Sequence, residues 1–244
     1  MPASSSQKDT QTAVICVLYS CGASAGSNPA YLKAARDLAQ HFYENDIRLV
    51  YGGGTSGLMG QLAKELVSLS GPQAVHGIIP RALLRVEQGY QGDDNDLSPS
   101  LHDEAGKVER VIGSGGPSSS VEYGSVTVVP DMHTRKRLMA EEVRNGGPGS
   151  GFVGLPGGFG TIEEIMEMTT WNQLGIQRTG VVLLNINEYW DGLLLWVQAA
   201  VAEGFLSRED ARILVQIQQP NQVFAALGQY RLSKDRLHLV WGDE

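Results

Sequence analysis

The sequence predicts an α/β protein with a Rossmann-like, doubly wound parallel sheet that carries helices on both faces. Two observations predict it. Short apolar runs rich in β-branched residues alternate along the chain with segments of helical periodicity, which is the pattern of βαβ units. The 244 residues are also enough to bury a large core without disulfides or metal, so we expect one domain over 1–244.

Six apolar runs are predicted to be the strands of this sheet. They cover residues 13–18, 47–51, 75–79, 126–129, 152–155 and 181–184. Each is short and bounded by polar or glycine-containing segments, as strands of a parallel sheet are.

Helical periodicity fills the intervals between these runs. It begins at Asn28-Pro29, where a polar cap precedes a proline, and it recurs over 57–69, 162–169 and 188–201. Ser207 with Asp210 resembles an N-cap for a further helix. Helices outnumber strands after residue 186, so we expect this end of the chain to pack over the sheet.

Three segments show neither the apolar runs of strands nor the periodicity of helices. Residues 1–12 are polar and are expected to be flexible. Residues 88–120 are rich in Gly, Ser and Asp, and 145–151 is a Gly-Pro stretch, so both are expected to be surface insertions. The acidic cluster at 92–96 lacks the spacing of an EF-hand loop, which excludes that calcium site.

Composition argues against several classes of partner. A net charge of −8 disfavours binding to nucleic acid or to an anionic membrane surface. No apolar run approaches the roughly 18 residues needed to span a bilayer, and the first residues contain no apolar secretion signal, so a cytoplasmic location is expected. With two cysteines and five scattered histidines, neither a disulfide framework nor a metal site is predicted.

The most informative stretch is Pro-Gly-Gly-Phe-Gly-Thr-Ile-Glu-Glu at 156–164, which follows a predicted strand and opens a helix. Gly157, Gly158 and Gly160 allow the backbone to turn its N–H groups toward one point, and the start of a helix adds further donors. A phosphate suits that point. The carboxylates of Glu163 and Glu164 then suit another part of the same ligand, such as a sugar ring that develops positive charge.

A structural alternative exists for the same residues. Thr161 followed three residues later by Glu164 fits a capping box, in which Glu164 returns to a backbone N–H for about 1 kcal/mol of stability.

Two other turns are predicted to lie at the same edge of the sheet. The turn that contains Ser24 follows the first strand, where ligands of open α/β sheets bind. The second, at 52–57, matches G-x-G-x-x-G but follows the second strand, and the third strand ends at Pro80-Arg81 rather than at a ribose-binding acid. We interpret Gly53 and Gly54 as facing a phosphate or nucleotide, with simple close packing equally consistent.

The densest positive charge lies in Asp-Met-His-Thr-Arg-Lys-Arg at 131–137, just before the strand that leads to the glycine turn. Arg135 offers a planar fork for a phosphate or for ring nitrogens.

Together these motifs resemble one family, the Lonely Guy type of cytokinin-activating phosphoribohydrolases, long labelled as lysine decarboxylases. The resemblance runs from about Val14 to Phe205. It is carried in order by Cys21-Gly22-x-Ser24, Val50-Tyr51-Gly52-Gly53-Gly54, Gly57-Leu58-Met59-Gly60, Met132-His133-x-Arg135-Lys136, the 156–164 stretch, and Trp171-x-Gln173-Leu174-Gly175-Ile176.

The resemblance implies hydrolysis of the N-glycosidic bond of a cytokinin riboside 5′-monophosphate by a homodimer without cofactor or metal. The family's catalytic pair matches Arg135 and Glu164. Its phosphate and ribose contacts match Gly157, Gly158, Phe159, Gly160, Thr161, Glu163 and Lys136, with Thr169 a further contact and Glu87 a substrate-binding acid.

Three alternatives remain open at this point. A broader nucleosidase acting on AMP would use the same residues, and a non-catalytic nucleotide-binding module would use Glu164 only as a cap. A decarboxylase would need pyridoxal phosphate on a lysine, and Lys136, the one lysine in these motifs, has no evident partner for the pyridine nitrogen.

Overall fold

A single sheet runs through the computed structural model, which describes residues 11–18, 24–84, 110–112, 121–239 and 241. Its eight strands are Val14–Leu18 (β1), Arg48–Tyr51 (β2), Val75–Pro80 (β3), Arg110–Ile112 (β4), Ser125–Val129 (β5), Gly151–Gly154 (β6), Gly180–Leu184 (β7) and Leu214–Ile217 (β8).

The strands lie in the order β4-β5-β3-β2-β1-β6-β7-β8. All neighbours are parallel except β4, which runs antiparallel to β5 at one edge. The six predicted strands are present, and the prediction of a Rossmann-like, doubly wound sheet is confirmed.

Two edge strands were not predicted from the sequence. β4 lies inside 88–120, so three residues of that predicted insertion extend the sheet, and its other residues lie outside the described part of the chain. β8 has a mixed sequence, Leu-Val-Gln-Ile, and is only partly buried. An edge strand with one covered side does not need the continuous apolar run that identifies an inner strand.

In the described part of the chain, seven α-helices connect and cover the strands. They are Pro29–Glu44 (α1), Gly57–Ser70 (α2), Arg81–Leu84 (α3), Met132–Arg144 (α4), Phe159–Leu174 (α5), Asp191–Ala202 (α6) and Val223–Gln229 (α7). No helix in the described ranges is long and apolar enough to span a membrane.

The strands separate two apolar layers because successive side chains point to opposite faces. On β1, Ile15 and Val17 pack with α1, α2 and α7, whereas Val14, Cys16 and Leu18 pack with α4 and α5. The central strands are therefore buried on both faces, which explains their continuous apolar sequences.

The start of α1 agrees with the sequence. The side chain of Asn28 accepts a hydrogen bond from the Ala30 N–H at 2.9 Å, and Pro29 occupies the first helical position, where no N–H is needed. By contrast, α6 begins three residues later than predicted. Asn187 and Glu188 have φ of 52° and 60°, in the left-handed region, so a right-handed α-helix cannot include them and α6 starts after them.

The segment 145–151 differs from the expected surface insertion. The Gly147 N–H donates to the Thr12 carbonyl at 2.9 Å, and the buried Ser150 hydroxyl accepts from the Val14 N–H at 2.9 Å. This segment is a turn that packs against the start of β1. The predicted cap at Ser207 does accept from the Asp210 N–H at 3.0 Å, but it opens a short 3₁₀ turn and not an α-helix.

Candidate functional site

The strand order fixes where a ligand can bind. From β1 the chain proceeds outward through β2, β3 and β5, and it then returns to place β6 on the other side of β1. This reversal leaves a crevice beyond the carboxyl ends of β1 and β6, the usual ligand site of open α/β sheets. A cavity of about 200 Å³ lies there. It is lined by Ser24, Ala25, Gly26, Tyr31, Leu58, Pro156, Gly157, Gly158 and Tyr189.

The glycine turn after β6 forms one wall of this cavity. Gly158 is the N-cap of α5, none of the described side chains caps this end, and a Cβ on Gly158 would meet open space. The first backbone N–H groups of a 16-residue helix and its positive dipole end are therefore presented at the crevice, as an anion site requires.

The capping-box interpretation is wrong. Helix α5 begins at Phe159, so Thr161 is its third residue and not its N-cap. Thr161 is fully buried inside the helix, and Glu164 has a different partner. The sequence suggested a box because T-x-x-E is matched by spacing alone, whereas the N-cap of the helix is Gly158, three residues before Thr161.

Glu164 forms a buried ion pair with Arg135. Glu164 Oε1 lies 2.9 Å from Arg135 Nη2, and each side chain is 2% exposed. Arg135 belongs to α4, whose N-cap Asp131 accepts a hydrogen bond from the Thr134 N–H at 2.8 Å; this bond lowers the pKa of Asp131. Removing one partner of such a pair typically costs about 3–5 kcal/mol, because it leaves a buried charge without compensation.

Gly52 provides the space for the Arg135 guanidinium. A Cβ at position 52 would lie 2.2 Å from Arg135 Nη2 and 2.9 Å from Cζ. Gly53 has φ of 74° and packs against Gly77, where an added Cβ would lie 2.8 Å from Gly53 Cα. Gly53 and Gly54 are buried, and a Cβ on Gly53 would lie 3.0 Å from Ile79 Cβ, so Gly52 makes room for Arg135 and Gly53 for the neighbouring strand β3.

Lys136 carries a second charge cluster beside the first. Its Nζ lies 2.6 Å from Glu163 Oε1 and 3.0 Å from Glu167 Oε2, on successive turns of α5. Burial lowers the pKa of Lys136, but the hydrogen bonds and charges of the two carboxylates outweigh burial and raise this pKa. Lys136 therefore stays charged at neutral pH, and the stability from this cluster is lost only as pH rises through the raised pKa of Lys136.

Cys16 lies on β1 within reach of the Glu164 and Arg135 charges. Burial raises the pKa of its thiol well above the ordinary value, and the Glu164 charge adds to this effect. A thiol of this kind is protonated and is not a nucleophile.

The structure brings some predicted site residues together at the cavity and leaves others apart. Ser24, Gly157 and Gly158 line it, and the Ser24 hydroxyl accepts from the Gly26 N–H at 3.1 Å. Thr169 lies further along α5 and donates its hydroxyl to the Ile165 carbonyl at 2.7 Å. Phe159 is 94% exposed, Gly160 is partly buried, and Glu87 lies outside the described residues.

Sequence analysis missed three residues of this site. Tyr189 lines the cavity and donates to the Gly157 carbonyl at 2.6 Å, Tyr31 contributes the facing ring, and Glu167 holds Lys136. The position of Tyr189, in the loop after β7 at the carboxyl edge of the sheet, was the available signal. Two larger depressions, of about 640 and 700 Å³, are lined by none of the predicted site residues that the structure describes. Within the described ranges, no group of three His, Cys, Asp or Glu residues could hold a metal ion.

We predict that Gly52→Ala unfolds at a lower denaturant concentration than the wild type. The added methyl must displace the guanidinium and separate Arg135 from Glu164, so we expect a loss of about 3 kcal/mol in unfolding free energy. Gly228→Ala is the matched control, because a Cβ there meets open space on α7 and should change stability by at most about 1 kcal/mol. Equal midpoints for Gly52→Ala and the wild type would contradict this account of Gly52.

Comparison with solved structures shows the fold. A molybdenum cofactor carrier protein from Chlamydomonas reinhardtii matches with a TM-score of 0.53 and 16% identity, covering 90% of this chain and 98% of that one. A molybdenum cofactor binding protein from Rippkaea orientalis matches with a TM-score of 0.53 and 13% identity, covering 88% and 94%.

Comparison with known sequences is more specific. A "Bifunctional cytokinin biosynthesis protein" of Fusarium pseudograminearum is 49% identical over 201 residues, which cover 82% of this chain but only 37% of that protein. A cytokinin riboside 5′-monophosphate phosphoribohydrolase of Arabidopsis thaliana is 35% identical over 231 residues, covering 94% of this chain and 88% of that protein. A probable enzyme of the same name from Oryza sativa subsp. japonica is 35% identical over 219 residues, covering 90% and 80%.

The family model described as "Possible lysine decarboxylase" matches residues 59–227, which include α4, the glycine turn and α5. With this match over more than half of the chain, and with relatives aligned over most of its length, the chain belongs to the family of the cytokinin riboside 5′-monophosphate phosphoribohydrolases.

Proposed function

We propose that this protein hydrolyses the N-glycosidic bond of cytokinin riboside 5′-monophosphates, releasing the free base and ribose 5-phosphate, and that one domain performs the reaction. The observation that carries the proposal is the buried Arg135–Glu164 pair, in which Arg135 comes from α4 and Glu164 from the second turn of α5, the helix that follows a glycine turn at the switch point of the sheet. The activity for which the relatives in Arabidopsis thaliana and Oryza sativa are named supports it.

In this proposal the phosphate binds at the start of α5. Its oxygens accept hydrogen bonds from backbone N–H groups of the turn, those of Gly157, Gly158, Gly160 and Thr161. Ser24 closes the opposite side of the cavity. Anchoring the phosphate uses binding energy remote from the reacting bond to hold the sugar at the site.

The reacting bond then faces the acidic side of the helix. As the bond to the base breaks, the sugar becomes an oxocarbenium-like cation, and the fixed charge of Glu164 stabilises it or directs water onto it. Water supplies a hydroxyl group to the sugar carbon and a proton to the departing base. Arg135 holds Glu164 in place at 2.9 Å and stabilises charge on the base or grips the nucleotide.

Other predicted contacts take supporting roles in the proposal. Glu163 is 53% exposed in its side chain and is available to bind ribose hydroxyls, while Lys136 remains paired with Glu167. Phe159, Thr169 and Glu87 stay predictions from the family resemblance, as ligand contacts. Gly53 and Gly54 stay predictions from the turn at 52–57, as residues that face a phosphate or nucleotide.

The residues do not fit the decarboxylase activity that the family description suggests. A pyridoxal phosphate enzyme needs a lysine that can present a neutral amine to the aldehyde. Among the described lysines only Lys136 is buried, and its Nζ is held as an ammonium by two carboxylates, which raise its pKa. Lys33, Lys64 and Lys234 lie toward the solvent, outside the residues that line the cavity at the switch point.

We further propose a cytoplasmic location. Cys16 is a free thiol in the core, in keeping with a reducing compartment. Cell fractionation that finds the protein among secreted proteins would contradict it.

The protein should sediment as a homodimer. Large apolar side chains lie exposed on α5, on α6 and just after it, with Phe159 94%, Leu195 63%, Trp196 58% and Phe205 87% exposed, and such surfaces commonly mark protein interfaces. Sedimentation equilibrium should therefore give twice the chain mass of 26.3 kDa. A mass of one chain at micromolar concentration would contradict dimerisation.

The substrate comparison tests the function directly. We predict that N6-isopentenyladenosine 5′-monophosphate yields the free base and ribose 5-phosphate, whereas the same riboside without phosphate reacts poorly because it cannot use the glycine turn. Assaying AMP alongside separates a cytokinin enzyme from a general nucleosidase. Tight binding of the monophosphate without release of base would indicate a binding module.

Glu164→Gln separates charge from shape. Glutamine keeps an oxygen for Arg135 but offers no negative charge to the sugar, so turnover of the folded variant should fall by on the order of 10² or more. The buried guanidinium also loses its counter-charge, and we expect about 3 kcal/mol less stability. Rates are therefore measured well below the melting temperature.

Glu203→Gln, at the exposed end of α6, is the control for loss of one carboxylate and should match the wild type in both measurements. If folded Glu164→Gln keeps most of its turnover, Glu164 is structural and Glu163 becomes the next catalytic candidate.

A further inference from the structure

The hydroxyl of Tyr189 contacts the backbone of the glycine turn. It donates to the Gly157 carbonyl at 2.6 Å, across 32 positions of sequence, and its ring lines the cavity at the switch point. Tyr189 is therefore a side-chain support of the glycine turn that comes from outside the turn and its helix.

This contact fixes the orientation of a whole peptide group. The carbonyl of Gly157 and the N–H of Gly158 belong to one planar unit, and no peptide bond in the described chain is cis. In a trans unit the two groups point in opposite directions, so holding the carbonyl also holds the N–H. Without a partner, a peptide between two glycines can rotate easily because neither residue carries a Cβ.

The Tyr189 ring is itself held on two sides. It packs edge-on against Tyr31, with centroids 6.0 Å apart and planes at 81°, and against Trp190 at 5.0 Å and 88°. Trp190 is buried, so it anchors the loop to the core below α6.

The loop before Tyr189 adopts an unfavourable backbone to reach this position. Asn187 and Glu188 both have positive φ, at 52° and 60°, although neither is glycine. The buried Asn185 side chain braces the loop, accepting from the Trp190 N–H at 2.7 Å and donating to Asp191 Oδ1 at 2.8 Å. Strain of this kind persists only where the surroundings enforce it, and it clusters at functional sites.

We infer that Tyr189 is a positioning residue for phosphate binding, which fixes the Gly157–Gly158 peptide so that the Gly158 N–H is already oriented when the phosphate arrives. The inference rests on the proposed function. A donor that needs no reorganisation binds an anion more tightly than one that must first be ordered. The effect acts on the phosphate and not on the base.

Tyr189→Phe tests this, because it removes the hydroxyl and keeps the ring. We expect KM for the riboside monophosphate to rise about fivefold to tenfold with kcat unchanged, the effect of losing one hydrogen bond. Inhibition by ribose 5-phosphate should weaken by the same factor, while inhibition by the free base should stay at the wild-type value. Tyr43→Phe, which removes an exposed hydroxyl on α1, should leave all these constants unchanged.

The two product inhibitors separate the possible failures. If ribose 5-phosphate and the free base weaken equally, Tyr189 supports the fold generally and the inference is overturned. If neither weakens while the wild type still prefers the monophosphate, the inference fails and the proposed function stands. If the wild type treats the riboside and its monophosphate alike, the proposed phosphate site fails, and this inference with it.

Discussion

The contact between Arg135 and Glu164 is the interaction on which the rest of the site depends. It joins α4 to α5 on one face of the sheet, and it is buried at the carboxyl end of β2, where desolvation of both charges must be offset. Its geometry imposes constraints on residues that never touch a ligand. Asp131 must start α4 at the correct residue, and Gly52 must lack a side chain. The glycine turn can then open α5 with its donors free of side-chain caps.

Structural features that depend on residues adjacent in the sequence could be predicted from the sequence. The inner strands carry continuous apolar runs because both faces are covered, and α1 carries its own cap in Asn28 and Pro29, so both could be inferred from neighbouring residues. The glycine turn could be located for the same reason. The side chains that pair with residues of this turn and of α5 could not be inferred from the sequence. Glu164 matched a capping box by spacing, and only the packing of α4 against α5 shows that it pairs with Arg135, 29 positions away.

What the sequence could not predict depends on contacts between distant elements. Gly52 looked like part of a phosphate loop, yet its bare backbone makes room for an arginine from another helix. Tyr189 lies in a loop with no motif, and its contact with Gly157 arises only because β6 and β7 are neighbours in the sheet. The strands β4 and β8 lie at the edges of the sheet and are only three and four residues long, so their sequences hold little periodic signal. The fold itself is also shared with molybdenum cofactor carriers at 16% identity, so function has to be argued from the site.

The charge cluster at the head of α5 has one further consequence. Arg135 and Lys136 face Glu163, Glu164 and Glu167, so the cluster carries one excess negative charge within a chain of net charge −8. A dianionic nucleotide therefore approaches against a repulsive field, which the short-range donors of the glycine turn must offset. Because dissolved salt screens such repulsion over about 8–10 Å, association should become faster as ionic strength rises, opposite to an electrostatically steered enzyme. The same field assists departure of the phosphorylated sugar.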